Sequence, residues 1–267
     1  MSSAKSLVSG SIGEGAIVTS ASLSPAQGRQ DLLGQTVLVI GGSAGIGLET
    51  ARLARTNGAA VILTARNPDR LYRVGLELGA SIAAFDATDF DRLKRFFNEL
   101  PTPVDHVLVT GPGPNYAPLA SVDIDGLRRD VEAHLLLPVV VAQNAVSRVR
   151  PGGTLLFICG TDRRSAPGLY FVSALTAALP TLTKNLALEL APVRVNLIAA
   201  GFVDTPLSAR LLGDQLDSRR EQLRNTLPIG RVVGPVDIAE LAVHLMTNTA
   251  VTGATFVVDG GQQLVER

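Results

Sequence analysis

The chain has 267 residues, of which 46% are hydrophobic, and its 24 basic and 24 acidic side chains cancel. Zero net charge argues against a nucleic-acid-binding protein, and no apolar run approaches the roughly 20 residues that a membrane-spanning helix needs. Cys159 is the only cysteine, so an intrachain disulfide is excluded, and this fits a cytoplasmic protein.

Residues 1–30 are rich in Ser, Gly and Ala and contain no aromatic residue. Glycines at positions 10, 13 and 15 interrupt any apolar core that a signal peptide would need. The sequence predicts an N-terminal arm over residues 1–30, either flexible or docked in an oligomer. The alternative is an ordered arm with a short strand at Gly15–Thr19. Residues 31–267 are predicted to form one domain, with no repeat or linker.

Apolar strands alternate with helical segments through that domain. The predicted strands are Thr36–Ile40, Ala60–Leu63, Ser81–Ala84, Val104–Val109, Thr154–Ile158, Val193–Ile198 and Thr255–Val258. The predicted helices are Gly45–Asn57, Pro68–Leu78, a segment with Phe90, Leu93, Phe96 and Phe97 at helical spacing, Asp123–Val149, Leu169–Leu190 and Val236–Met246, with a polar helix-prone segment at Thr205–Thr226. This alternation predicts a doubly wound, mostly parallel sheet of the Rossmann type in three α/β/α layers.

A glycine-rich turn follows the first strand and opens a helix. Glycines allow close approach of the backbone to a pyrophosphate, and a helix N-terminus offers free N–H groups with partial positive charge. The turn therefore predicts a dinucleotide site, and the alternative is a tight turn without a ligand. Its predicted binding residues are Gly41, Ser43, Gly45, Ile46 and Gly47.

The end of the second strand bears on cofactor choice. A protein that binds NAD usually has an acid there for the ribose hydroxyls, whereas this chain has Ala65 and Arg66. Asp69 comes three residues later, at the start of the next helix. Arg66 can form paired charge-assisted bonds to a 2′-phosphate, which favours NADP(H) over NAD(H). The alternative is a solvated surface arginine.

Several short segments occur along the chain in an order and spacing that are typical of one protein family. They are Gly41–Gly47, Asp86–Ala87, Asp105, Thr183–Leu190, Val193–Ile198, Gly201–Thr205 and Val258–Gly261. From about residue 34 to 262 the chain resembles the single-domain short-chain dehydrogenase/reductases. The resemblance implies that Asp86 and Ala87 lie at the adenine edge and that Thr110 and Gly111 line the cofactor. It places Gly201, Val203 and Thr205 near the nicotinamide.

The resemblance fails at the residues that carry the family's chemistry. That chemistry rests on Ser, Tyr and Lys, with an Asn in the preceding long helix. Counting back from Leu182–Leu190 puts Val172 at the tyrosine position and Thr176 at the lysine position. The serine position falls on Cys159 or Gly160, and the asparagine position falls on His134. The sequence therefore predicts a competent dinucleotide pocket with altered or absent carbonyl chemistry.

Three other residues are candidates for the missing catalytic groups. Asp162 follows the fifth strand, at the sheet edge where this architecture places active sites, and the alternative is an Asp paired with Arg163 and Arg164. Tyr170 lies near the start of the helix predicted over Leu169–Leu190, and the alternative is a capping or packing residue. His134 can titrate near neutral pH or serve as a structural histidine. Cys159 is predicted to be inert core, and no metal site is predicted.

Three functions remain open. The first is an NADP(H)-dependent oxidoreductase with a substituted active site, reducing an activated C=N or C=O group such as an iminium ion. The second is a non-redox enzyme that retains the dinucleotide, and the third is a dinucleotide-binding regulatory protein without catalysis. The partner is a small molecule. The resemblance also implies a homotetramer or homodimer, paired through the two long helices and the last strand.

Overall fold

The computed structural model describes residues 31–161 and 168–265. The predicted N-terminal arm and Asp162 lie outside these residues. Seven parallel strands form one sheet in the order β3-β2-β1-β4-β5-β6-β7. The strands are β1 Thr36–Ile40, β2 Ala60–Ala65, β3 Ser81–Ala84, β4 Val104–Val109, β5 Val149–Gly160, β6 Arg194–Ala200 and β7 Thr255–Val258. The predicted doubly wound sheet is confirmed.

Ten α-helices cover the sheet or follow its edge within the described residues. They are α1 Gly45–Thr56, α2 Pro68–Leu78, α3 Phe90–Glu99, α4 Ile124–Val131, α5 Leu137–Ala145, α6 Tyr170–Glu189, α7 Pro206–Leu212, α8 Leu216–Thr226, α9 Pro235–Thr247 and α10 Gln262–Val265. None of these helices is long and apolar enough to cross a bilayer.

The helix predicted over Asp123–Val149 was wrong at its C-terminal end, and it is interrupted by a wider turn just before Pro138. A π-helical turn at Glu132–Leu136 separates α4 from α5, and α5 ends at Ala145. Pro138 has no N–H to donate, so the segment before it widens rather than continuing as a regular α-helix. Val149 instead begins β5, where the preceding Arg148 carbonyl accepts from the Val104 amide at 2.8 Å.

The sheet is buried on both faces because alternate residues of each central strand point to opposite sides. Leu38 and Ile40 of β1 join one core with α3, α5 and α6. Val37 and Val39 of the same strand join the other core with α1, α2 and α9. The apolar runs in the sequence thus mark strands that fill two cores at once.

Polar residues at the amino edge of the sheet have structural partners. Asp105 accepts from the Thr36 amide and from Arg150, each at 2.7 Å. Arg194 is buried and donates to the carbonyls of Leu245 (2.7 Å), Met246 (2.8 Å) and Asn248 (2.9 Å) at the end of α9. The carboxyl edge, by contrast, carries the predicted ligand-binding residues.

Candidate functional site

The predicted site residues lie along the carboxyl edge of the sheet. Helix α1, after β1, packs on one face, whereas α5, in the connection after β4, packs on the other. Because β1 and β4 are neighbours, this reversal opens a crevice between their carboxyl ends, where α/β sheets bind ligands. The glycine turn (Gly41–Gly47) follows β1, and Thr110 follows β4.

Glycine is required at two positions of this turn. Gly41 has φ +90°, and a Cβ built there would lie 2.1 Å from Thr110 Oγ1. A Cβ at Gly47 would lie 2.4 Å from the carbonyl oxygen of Gly41. Thr110 Oγ1 donates to the carbonyls of Ile40 (3.1 Å) and Gly41 (3.2 Å), so the turn is fixed against the end of β4.

The amino end of α1 suits an anion. Ala44 at the N-cap has no side-chain oxygen to accept from the first N–H groups, and the first turn carries no acid. Ser43 is buried beside it, and Ile46 is half-buried. Free amides and a positive helix end meet the closely packed glycines here, which is the arrangement that a pyrophosphate fits.

Arg66 and Asp86 face each other after β2 and β3. Arg66 Nη1 lies 3.9 Å from Asp86 Oδ2, and both side chains are largely exposed. Asp86 Oδ1 accepts from the Thr88 amide (3.0 Å) and hydroxyl (2.8 Å), which fixes that carboxylate and places Ala87 within its turn. Contact with Asp86 is loose, so the guanidinium can turn toward an added phosphate.

The segment after β6 lies across the edge from the glycine turn. Gly201 fits tightly, since a Cβ there would lie 2.6 Å from that of Asp259. Val203 is buried and pairs with Val233. Thr205 caps α7 in a reciprocal arrangement with Ser208, and its methyl group lies 3.4 Å from a Cβ built at Gly45. The start of α7 therefore packs against the glycine turn.

His134 lies in the π-helical turn, beside Gly111. A Cβ at Gly111 would lie 3.4 Å from His134 Nδ1. Nε2 is buried and has no hydrogen-bond partner among the described residues. Burial lowers the pKa of His134 below its usual value, and nearby Asp130 partly opposes this. The imidazole is therefore neutral at pH 7.

A small cavity adjoins this histidine. Its lining is otherwise largely apolar and comprises Val109, Gly111, Ala133, His134, Pro138, Phe157, Ile158 and Leu179. A π-turn often marks a functional position in a helix. The neutral imidazole can donate or accept one hydrogen bond there, but it is not a cationic acid.

The start of α6 carries the positions where the resemblance expects Tyr and Lys. Val172 lies in its first turn and is half-buried, and Thr176 lies one turn later and is buried. Tyr170 is the first residue of the helix and is 40% exposed. Asp162 lies outside the described residues, so the structure bears only on Tyr170 and His134 among the three candidates.

Cys159 lies near the end of β5 and is half-buried. Its thiol donates to the Gly160 carbonyl at 3.0 Å, and burial raises its pKa to about 12. The thiol is therefore protonated at neutral pH and is a poor nucleophile. No group of three potential metal ligands occurs in residues 31–161 and 168–265.

Sequence reasoning missed a buried carboxylate. Asp130 on α4 is 3% exposed and accepts from Asn115 Nδ2 at 2.8 Å and from the Asn115 amide at 3.3 Å. It also missed the contact between Gly113 and Leu207 of α7. The available signal was the rigid Pro112-Gly113-Pro114-Asn115 segment directly after a site strand.

Comparisons with known proteins identify a family and several similar chains. The family model described as "Enoyl-(Acyl carrier protein) reductase" matches residues 41–263. The chain is 26% identical over 265 residues to short-chain dehydrogenase/reductase malC of Malbranchea aurantiaca, covering 91% of this chain and 100% of the relative. It is 31% identical over 254 residues to dehydrogenase/reductase SDR family member 4 of Sus scrofa, covering 87% and 88% of the two chains.

Solved structures share the fold over nearly their whole length. The MalC Reductase/Diels-Alderase from Malbranchea aurantiaca superposes with a TM-score of 0.81 at 26% identity, covering 89% of this chain and 100% of that one. BdcA in complex with NADPH superposes with a TM-score of 0.78 at 26% identity, covering 86% and 95%.

Proposed function

Because this chain belongs to the short-chain dehydrogenase/reductase family, we propose that it is an NADP(H)-dependent oxidoreductase that reduces an activated C=N or C=O group of a small molecule. The observation that carries this proposal is the glycine turn, closed against Thr110 beside the uncapped end of α1. That geometry fits a pyrophosphate and leaves no room for side chains at Gly41 and Gly47.

Different residues of the chain bind different parts of the cofactor. The glycine turn holds the pyrophosphate, Arg66 holds the 2′-phosphate, and Asp86 with Ala87 borders the adenine. Thr110 and Gly111 line the cofactor, and Gly201, Val203 and Thr205 lie near the nicotinamide. The NADPH complex of the similar protein BdcA supports NADP(H) as the cofactor, with NAD(H) less favoured. When bound, NADPH supplies a hydride.

The proposed substrate class follows from Val172 and Thr176, which stand at the positions of the family's Tyr and Lys. Val172 has no proton to donate, and Thr176 carries no charge that would ease the ionisation of a neighbour. A neutral ketone needs a proton at oxygen as hydride reaches carbon, and losing a positioned acid costs on the order of 100- to 10,000-fold in rate. An iminium carbon accepts hydride and becomes an amine without any proton.

His134 is the group that the described residues best support for contact with the reacting molecule. Its neutral ring adjoins Gly111 and the cavity, so it donates a hydrogen bond rather than a proton. Tyr170 and Asp162 are the other proposed groups. The comparison of His134→Gln, Tyr170→Phe and Asp162→Ala identifies the one whose loss lowers turnover while NADPH affinity stays nearly unchanged.

A matched pair of substrates tests the proposed function. A cyclic iminium ion and the ketone of the same ring are offered with NADPH, and NADPH oxidation is followed. We expect the iminium to be reduced and the ketone to react about 100-fold more slowly or worse, because the acid is missing. Equal turnover of both would overturn the substrate class, and a chain that fails to bind NADPH would overturn the proposal itself.

Restoring the family pair is a second test. Val172→Tyr with Thr176→Lys places two larger side chains where Val172 is half-buried and Thr176 is buried. Overpacking and loss of substrate space follow, so we expect no efficient ketone reductase and weaker iminium turnover. Val172→Ile with Thr176→Ser is the control, since it adds almost no volume. A rise of ketone turnover to the level of the iminium would contradict the expected result.

A second candidate is a non-redox reaction in the same cleft. The similar structure described as a Reductase/Diels-Alderase combines a reduction and a cycloaddition in its name. Product formation without NADPH oxidation would favour this candidate for the present chain.

The proposal extends to assembly and location. Apolar side chains are exposed on α6 (Leu188, 79%), the edge strand β7 (Val257, 53%) and α10 (Leu264, 79%). We propose that they are covered in a homotetramer or homodimer. A cytoplasmic location is proposed on the ground of the single cysteine.

A further inference from the structure

Residues 111–117, called the strap below, run between β4 and α4. Prolines at 112 and 114 restrict the backbone, which reduces the entropy lost in holding one conformation. The strap begins at Gly111 against His134, and at its far end Ala117 lies 3.6 Å from a Cβ built at Gly168, just before α6. It therefore runs from the vicinity of His134 to the start of α6.

A buried carboxylate fixes the strap in place. Asp130 is 3% exposed, and the Asn115 side chain and amide both donate to it. A desolvated carboxylate left without donors is costly, so this pair strongly favours the observed position. Asn115 itself is exposed, so substituting its side chain removes a donor to Asp130 without opening a cavity in the apolar core.

The middle of the strap contacts α7. A Cβ built at Gly113 would lie 2.6 Å from Leu207 Cδ1, so not even a water molecule fits between the two residues. The sheet order makes this contact informative. Since β5 lies between β4 and β6, a contact from the strap after β4 to the helix after β6 spans the carboxyl end of β5.

We propose that Gly113 and Leu207 form the closed mouth of the active-site cleft, and that Asp130 is a positioning residue that holds Gly113 there through Asn115. Among the described residues, this contact bridges the carboxyl end of β5 from the strap to α7. The Leu207 side chain therefore controls both the access of small molecules to the cleft and the size of substrate admitted, so truncating it should change both. This inference rests on the proposed function for the place of the nicotinamide beneath the mouth.

Quenching of bound NADPH fluorescence by acrylamide tests the mouth. Acrylamide is small and neutral, so its collisions report physical access to the nicotinamide. For Leu207→Ala and for Asn115→Ala we expect the quenching constant to rise by about twofold or more, because closure that excludes water is lost. Leu211→Ala is the matched control, since Leu211 is exposed on the same helix, and it should leave quenching unchanged.

Hydrogen exchange in the ligand-free chain tests the positioning role separately. Asn115→Ala should speed exchange in residues 111–117 and also in α7, which the substitution does not touch. Asn115→Asp, which sets a second carboxylate against Asp130, should speed it more. Faster exchange in the strap alone would overturn the coupling between the strap and α7.

The outcomes separate this inference from the proposed function. Failure of NADPH to bind rejects the proposed function, and exchange still decides whether the strap and α7 act together. Tight NADPH binding with equal quenching in Leu207→Ala and the parent chain rejects the mouth and leaves the oxidoreductase assignment in place.

Discussion

Arg66 is the residue on which the expected cofactor preference depends. Its side chain is 63% exposed and only loosely paired with Asp86. Arg66→Asp therefore removes the proposed phosphate contact and supplies an acid for ribose hydroxyls. Hydrogen bonds to charged groups contribute about 1.5–3 kcal/mol, so NADPH affinity should fall by roughly 10- to 100-fold while NADH affinity rises.

Fluorescence titration with both cofactors measures this preference. Arg73→Asp is the control, because Arg73 is an exposed arginine of α2 outside the Arg66–Asp86 pair, and it should change neither affinity much. Equal affinities for NADPH and NADH in the parent chain would contradict the role given to Arg66.

Site residues differ in how far the sequence could predict them. The glycine turn was recognisable because its strand, its helix and its own residues are contiguous in the chain. The Asp130–Asn115 bonds and the Gly113–Leu207 contact depend on how separate elements meet in the folded chain. The prolines at 112 and 114 mark a restricted segment, but no local spacing encodes which distant residues it contacts, so these contacts emerged only from the structure.

At the scale of elements, helix α9 depends on a residue of another element. Buried Arg194 of β6 donates to three carbonyls at the end of this helix. Arg194→Met fills similar space but leaves those acceptors without donors, so the free energy of unfolding should fall by roughly 3 kcal/mol. Urea unfolding measures it, with Arg128→Met as the control.

Arg128 forms an exposed pair with Asp125, and such pairs contribute about 0–1 kcal/mol. Similar losses in the two variants would show that Arg194 does not stabilise the end of α9. The free energy of unfolding of Arg194→Lys should lie between those of the parent and Arg194→Met. An ammonium can donate to these carbonyls, but it lacks the planar fork of donors that a guanidinium has.

Element boundaries were predictable where the chain carries its own start and stop signals. The bounds predicted for α2 agree with the structure, since Pro68 begins the helix, Asn67 caps it and Gly79 ends it in a left-handed conformation. The first residues of β5 were missed because Pro151, Gly152 and Gly153 interrupt the apolar pattern there. Pairing with β4 overrides that local preference, with a register shift between Val104 and His106.

At the scale of the whole molecule, stability should depend on pH through His106. Burial lowers its pKa from 6.5 to about 4, although Asp105 opposes the shift. Between those values the unfolded chain binds a proton that the folded chain does not, so the free energy of unfolding falls as pH drops from about 6.5 to about 4. The shift corresponds to roughly 3 kcal/mol, and none of it is lost at higher pH.

Urea unfolding at pH 7 and pH 5 measures this dependence. His106→Gln should reduce this slope without abolishing it, because the buried His134 contributes with the same sign. The bond to Gln35 also changes, which lowers the stability of the variant at both pH values. His244→Gln is the control, since His244 is exposed on α9, and it should retain the parent slope. An unchanged slope in His106→Gln would remove this histidine as the cause.

The exposed apolar side chains predict association of the whole chain. Val257 lies on the edge strand β7, and Leu188 lies near the end of α6. Burying such residues against a second copy stabilises an assembly, so Leu188→Glu with Val257→Glu should shift it toward smaller species. Light scattering at micromolar concentration measures the mass, and a monomeric parent chain would contradict the prediction.

The reversal of helix side between β1 and β4 also divides the cleft by position along the chain. The glycine turn, Arg66 and Asp86 all precede residue 90, whereas the strap, α6 and α7 all follow residue 104. Substitutions or segment exchanges before residue 90 can therefore alter which reductant is used without touching the substrate-facing residues. Substitutions in the strap, α6 or α7 that spare the proposed nicotinamide neighbours should change the substrate accepted while the preference for NADPH, set before residue 90, stays the same.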